Sequence, residues 1–105
     1  MVFVETQAFT SLIRTLLPDD SLRRLQAALT GDPTLGVVVP GTGGIRKIRW
    51  GASSRGKRGG IRVLYFNHHA SRRILLLFAF AKAERDDLSQ TQKAALRRII
   101  EVEYP

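Results

Sequence analysis

Apolar positions set the first pattern along the chain. Phe9, Leu12, Ile13, Leu16 and Leu17 fall at i, i+3, i+4, i+7 and i+8, the stripe of an amphipathic helix. Thr6 stands where a cap would, and the apolar, β-branched residues 1–5 predict a strand before it. Pro18 ends this helix. A second helix, capped by Asp19 or Asp20, carries the narrower stripe Leu22, Leu25 and Leu29 and stops at Gly31 and Pro33. Residues 35–40 read as a short extended segment, and the PGTGG after it as turn chemistry. In IRKIRW (45–50) the period is two, which puts Lys47 and Arg49 on one face and Ile48 and Trp50 on the other. GIRVLYF (60–66) predicts the next strand, with Arg62 its lone charge. Residues 51–60 are too long for a two-residue hairpin turn and predict a flexible cationic loop. Residues 67–71 read as a turn. The eight consecutive apolar residues 74–81 suit a central strand covered on both faces. Ser89 and Gln92 form a capping box for a last helix, with Ala95, Leu96, Ile99 and Ile100 inward and Lys93, Arg97 and Arg98 outward. The order β-α-α-β-β-β-α predicts an α+β fold, in one domain over residues 1–105, with helices on an antiparallel sheet.

Charge changes this picture more than composition does. Hydrophobic residues at 44% and charged residues at 25% are ordinary for a globular chain and argue against disorder. The net charge of +8 is uneven: residues 33–83 hold ten basic residues and no acid, while the rest holds seven basic and nine acidic. Basicity so concentrated favours a nucleic-acid partner over general solubility. Seven cations, Arg46, Lys47, Arg49, Arg55, Lys57, Arg58 and Arg62, fall within residues 44–66. The absence of cysteine excludes disulfides and thiol chemistry and suits the cytoplasm. The N-terminus has no basic leader followed by a long apolar run, and no apolar run reaches the length of a membrane span, so neither a signal peptide nor a membrane partner is expected.

GGIRKIRW, the GKRGG loop, RVLYF and FAKAERDDLS, taken in order, resemble the central block of the RelE/ParE superfamily of type II toxins, most closely its HigB-like branch. A K-x-[KR] strand followed by a Gly-[IY]-Arg strand carries the likeness, which extends over nearly the whole chain. The resemblance implies a RelE-like fold and a toxin that cuts mRNA in the decoding site of the small ribosomal subunit. It also implies a cognate helix-turn-helix antitoxin as partner.

Metal-independent RNA cleavage requires a base to take the 2′-OH proton, cations to stabilise charge on the phosphorane oxygens, and an acid for the leaving 5′-oxygen. Lys47, Arg49 and Arg62 on neighbouring strands can supply the cations, and they match the basic strand positions of RelE-like toxins. Lys82 matches a basic position after the fourth strand and can equally be a strand-end lysine reaching water. Arg46, Arg55, Lys57 and Arg58 are candidates for gripping the RNA backbone. No cofactor and no metal site is expected: His68 and His69 are adjacent, point apart on an extended chain, and have no further ligand cluster. Trp50, Tyr65 and Phe66 can stack on bases, but aromatics in apolar strands are more often core. The acid and base are not identified by the sequence, and Tyr104 lies past where the family's C-terminal tyrosine would fall. Two other readings stay open: a ParE-like inhibitor of DNA gyrase that cuts nothing, and an inactive chain that only binds its antitoxin.

Overall fold

The computed structural model describes residues 1–51, 60–82 and 87–104. In chain order its elements are β1 (Val2–Glu5), α1 (Gln7–Leu16), α2 (Asp19–Gly31), β2 (Val37–Val38), β3 (Arg46–Trp50), β4 (Ile61–His68), β5 (Arg73–Ala81) and α3 (Gln90–Glu103). A single 3₁₀ turn, His69–Ser71, and a left-handed Arg72 connect β4 to β5. The five strands form one sheet in the order β1-β5-β4-β3-β2.

The sheet is mixed, not purely antiparallel, because β1 joins β5 in parallel. The helix pair α1–α2 carries the chain back over the sheet before β2 begins, and β1 is left to pair with the far edge of β5. The eight-residue apolar run accordingly becomes an interior strand. Ile74, Leu76 and Ala79 of β5 belong to a core shared with Phe9, Ile13, Leu25 and Leu29 of the helix pair. Leu75, Leu77 and Phe80 belong to a second core shared with Leu96 and Ile100 of α3. The helices therefore cover both faces, giving three layers. Between Leu64 and Tyr65 the β4–β5 register shifts, so that Leu64 faces Phe78 while Tyr65 faces Leu76. This bulge lets Leu77 and Phe78 both lie on the α3 side.

The caps follow the chemistry of the sequence with one exception. The Thr6 hydroxyl accepts from the Phe9 N–H at 3.0 Å. Ser89 and Gln92 complete the capping box at 3.1 and 2.9 Å. For α2, however, the cap position is Pro18, which has no side-chain hydrogen bond, and Asp19 and Asp20 fall inside the first turn. There they still lie where carboxylates complement the helix macrodipole. Of the inward set on α3, Leu96 and Ile100 are buried, Ile99 is half-buried and Ala95 is exposed.

The edge of the sheet near β3 is fixed by one fully buried tyrosine. The Tyr65 hydroxyl donates to the Pro33 carbonyl at 2.7 Å and accepts from the Gly36 N–H at 2.8 Å. Gly36 is required by this approach, because a Cβ there would stand 2.9 Å from the Tyr65 ring and 3.0 Å from the Lys47 carbonyl oxygen. Burial raises the Tyr65 phenol pKa above its ordinary value, against the smaller lowering from the Gly36 N–H. Tyr65→Phe is predicted to leave the Pro33 and Gly36 groups unsatisfied and to destabilise the fold by about 1–3 kcal/mol. Thermal melts of the two proteins check this, and an unchanged melting temperature would show that this hydroxyl does not hold the edge.

Candidate active site

The register of β3 and β4 assembles the cations. Lys47 stands opposite Leu64 and Arg49 opposite Arg62, while Ile48 and Trp50 stand opposite Val63 and Ile61. Residues paired in this way share a face, so Lys47, Arg49 and Arg62 project on the α3 side, with Leu64. Like charges directly opposite across two strands repel unless other groups compensate them. Arg49 is exposed, whereas Arg62 is buried at 7% exposure. A buried guanidinium must be hydrogen-bonded, and no described buried side-chain nitrogen or oxygen lacks a partner. Glu84 and Asp86, acids that could pair with it, lie outside the described residues.

Lys82 follows the last residue of β5, and its N–H donates to the Gly60 carbonyl at 3.2 Å. That bond places Lys82 at the same end of the sheet as Arg62 and Arg49. Arg46 is not brought together with them. It stands opposite Tyr65 on the other face, and its guanidinium donates to the carbonyls of Gly36 at 2.6 Å and Thr34 at 3.3 Å. Arg55, Lys57 and Arg58, with the loop expected to carry them, lie outside the described residues.

A carboxylate that the sequence reading passed over completes the geometry. Asp87 lies 3.4 Å from the Lys47 ammonium and 3.8 Å from that of Lys93 in the first turn of α3. Partial burial pushes the Asp87 carboxyl upward, but the Leu88 N–H, Lys47 and Lys93 together outweigh it and hold its pKa below the ordinary aspartate value. Lys93, expected on the outward face, is folded down to this bridge, its side chain 18% exposed. Beyond it an open depression of about 380 Å³ runs along α3 past Arg97 and Arg98 to Gly41. The bridge thus links the sheet cations to a basic flank of α3. Two lysines meeting one acid from elements distant in sequence left no local signal. The only hint was an aspartate two residues before the Ser89 cap.

The other candidates lie elsewhere. His68 ends β4, six residues beyond Arg62, which at strand rise is roughly 20 Å away. Its Nδ1 lies 2.7 Å from the Ser71 hydroxyl, and its ring is 4.2 Å from that of Tyr104. Among the described residues no group of three or more histidines and acids could hold a metal. Trp50 and Phe66 pack against the two cores, and the Trp50 indole N–H donates to Ser21 at 3.3 Å. No described helix is long and apolar enough to cross a membrane.

A family model described as the RelE toxin of the RelE / RelB toxin-antitoxin system matches residues 6–103. The chain belongs to the RelE toxin family. It is therefore a toxin of a toxin–antitoxin system, with an antitoxin as its partner, and RelE toxins are generally endoribonucleases.

Asp87 neutralises part of the charge of Lys47 and Lys93. Asp87→Asn is predicted to tighten binding of a short oligoribonucleotide and to steepen its salt dependence. Because the folded-state pKa is lowered, the contribution of Asp87 to stability is present above its unfolded value and lost as pH falls through the folded one. The stability difference between wild type and Asp87→Asn should shrink over that acid window. Denaturant melts across pH and fluorescence anisotropy with labelled RNA read both effects. Weaker RNA binding by the variant would show that the carboxylate organises the lysines instead of competing for them.

Proposed function

We propose that this RelE-family toxin is of the HigB-like kind and acts in the cytoplasm as a ribosome-dependent mRNA endoribonuclease. The observation that supports this most is the placement of Lys47, Arg49 and Arg62 on one sheet face, with two arginines directly opposite each other. Cations set side by side on a rigid sheet can meet an anion that lies across them. In the reaction the 2′-oxygen of one nucleotide attacks its own 3′-phosphate. The new 2′-O–P bond forms as the P–5′-O bond breaks, leaving a 2′,3′-cyclic phosphate and a free 5′-hydroxyl. Lys47 and Arg49 meet the non-bridging oxygens as negative charge builds there, and the buried Arg62, opposite Arg49 in register, adds to the positive potential of that face. Lys82 stands at the same end of the sheet, near enough in register to serve the leaving side. The loop cations Arg55, Lys57 and Arg58 are assigned to the RNA or ribosomal backbone.

Groups of this kind each contribute about 2–4 kcal/mol to the transition state, so Lys47→Ala and Arg49→Ala should each slow cleavage roughly tenfold or more. Circular dichroism should be unchanged, since neither side chain is buried. Primer extension on message from cells expressing each variant reads the loss, alongside growth arrest. Two variants that still arrest growth fully, while the purified protein blocks supercoiling by gyrase, would replace this reading with the ParE-like one.

A small basic domain whose charge is spread along a sheet and a helix flank binds naked RNA chiefly through phosphates, and so weakly at physiological salt. Message on translating ribosomes should be cut while the same purified message is left almost intact. Efficient sequence-specific cleavage of free RNA would contradict the ribosome requirement.

A further inference from the structure

Three rings meet at the end of the sheet away from Arg62. Phe66 and His68 alternate along β4, and Phe66 stands in register with Leu75 of the α3-side core, so both rings project toward α3. The chain leaving α3 brings Tyr104 against them, its ring 4.2 Å from that of His68 and 6.1 Å from that of Phe66. None of the three is fully buried. Phe66 and Tyr104 pack on the second core, yet they also line an open depression of about 440 Å³. Its other walls are Thr42 and Gly43, from the turn between β2 and β3, and Arg97 and Glu101 of α3. The volume falls within the range of small-molecule sites, about 300–1,000 Å³, and gives room for a nucleoside.

The charges around the depression select its occupant. Arg73 stands opposite His68 in register, on the same face as the rings, and is exposed. Arg97 and Glu101 also line the depression along α3 that reaches Lys93, and Lys93 meets Lys47 through Asp87. From Lys93 to Tyr104 the chain advances eleven residues, roughly 16 Å at helical rise, the reach of a few nucleotides. The depression itself is a poor place for a phosphate, because Glu101 lines it and holds the Arg97 guanidinium at 3.1 Å. A carboxylate repels a phosphate but accepts from the amino group of a base. Aromatic faces stack on any base, and cations at the edge take the phosphates that flank it. We infer that this depression is a stacking subsite for an unpaired base of single-stranded RNA. Phe66 and Tyr104 supply the platform, His68 backs Tyr104, and Arg73 and Arg97 meet the flanking phosphates. The inference rests on the proposed action on RNA and adds a second anchor to it. A strand held at Tyr104 and at Lys47 lies along the basic flank of α3, which fixes its direction across the sheet.

The test measures binding of a labelled single-stranded oligoribonucleotide to the full chain by fluorescence anisotropy, at low salt where phosphate contacts are strongest. Tyr104→Leu keeps an apolar side chain against the core and removes the aromatic face, and Tyr104→Trp restores one. The leucine variant should bind roughly tenfold more weakly with circular dichroism unchanged, and the tryptophan variant should recover the affinity. Neither should alter the salt dependence, since no charge is removed, whereas Arg73→Ala should flatten it. With a thiouridine-labelled strand, photocrosslinks should appear on the last tryptic peptide, residues 99–105. Full affinity in Tyr104→Leu, crosslinks confined to β3, or no binding of the strand at low salt would each overturn the inference. So would free AMP that competes as well as the oligonucleotide, which would make the depression a pocket for a single nucleotide. Primer extension with Lys47→Ala keeps the two readings apart. If that variant no longer cuts while Tyr104→Leu binds RNA fully, the proposed activity stands and only the subsite fails.

Discussion

The run ILLLFAFA in β5 is apolar toward both faces, and that one constraint organises the molecule. A strand of this kind must be interior to a sheet and must be covered above and below. Here β1 and β4 flank it, the helix pair α1–α2 buries Ile74, Leu76 and Ala79, and α3 buries Leu75, Leu77 and Phe80. Each layer depends on the others, because removing any of them would expose one side of β5 to water. The parallel pairing of β1 follows from the same need, since it fills the edge of β5 that no hairpin reaches.

The two covered faces are not equivalent, and the difference places the chemistry. The helix pair lies over a face whose β3 contribution is Ile48 and Trp50, and Tyr65 closes it from beneath. The α3 face receives Lys47, Arg49 and Arg62 instead, so a single helix lies across a sheet that is apolar at β5 and cationic at β3. α3 resolves this by being two-sided itself. Its Leu96 and Ile100 meet the apolar strands, and its Lys93 meets Lys47 through the shared Asp87. The basic surface is thereby held against a rigid sheet, which suits recognition of a phosphate better than a free loop would.

Two arginines in register stand at the centre of the cationic face. Arg49 and Arg62 face one another, and Arg62 is almost fully buried. Arg46 shows the contrast: one residue before Lys47, it turns to the other face and ties down the carbonyls of Thr34 and Gly36, so a cation adjacent in sequence performs a structural task.

What the sequence determined by itself is the set of elements and the face on which Lys47 and Arg49 project. These depend on periods of 3.6 and 2, on Thr6, on the Ser89–Gln92 box and on the uninterrupted run in β5, all of which act over a few residues. The tertiary structure alone decided the parallel edge of β1, the opposition of Arg49 to Arg62 in register, the turn of Arg46 to Tyr65, and the junction of Lys47, Asp87 and Lys93. Those relations join positions from different elements, often far apart along the chain. No local period encodes which strand lies beside which, or which acid reaches which lysine, because these are fixed only when both cores close on β5.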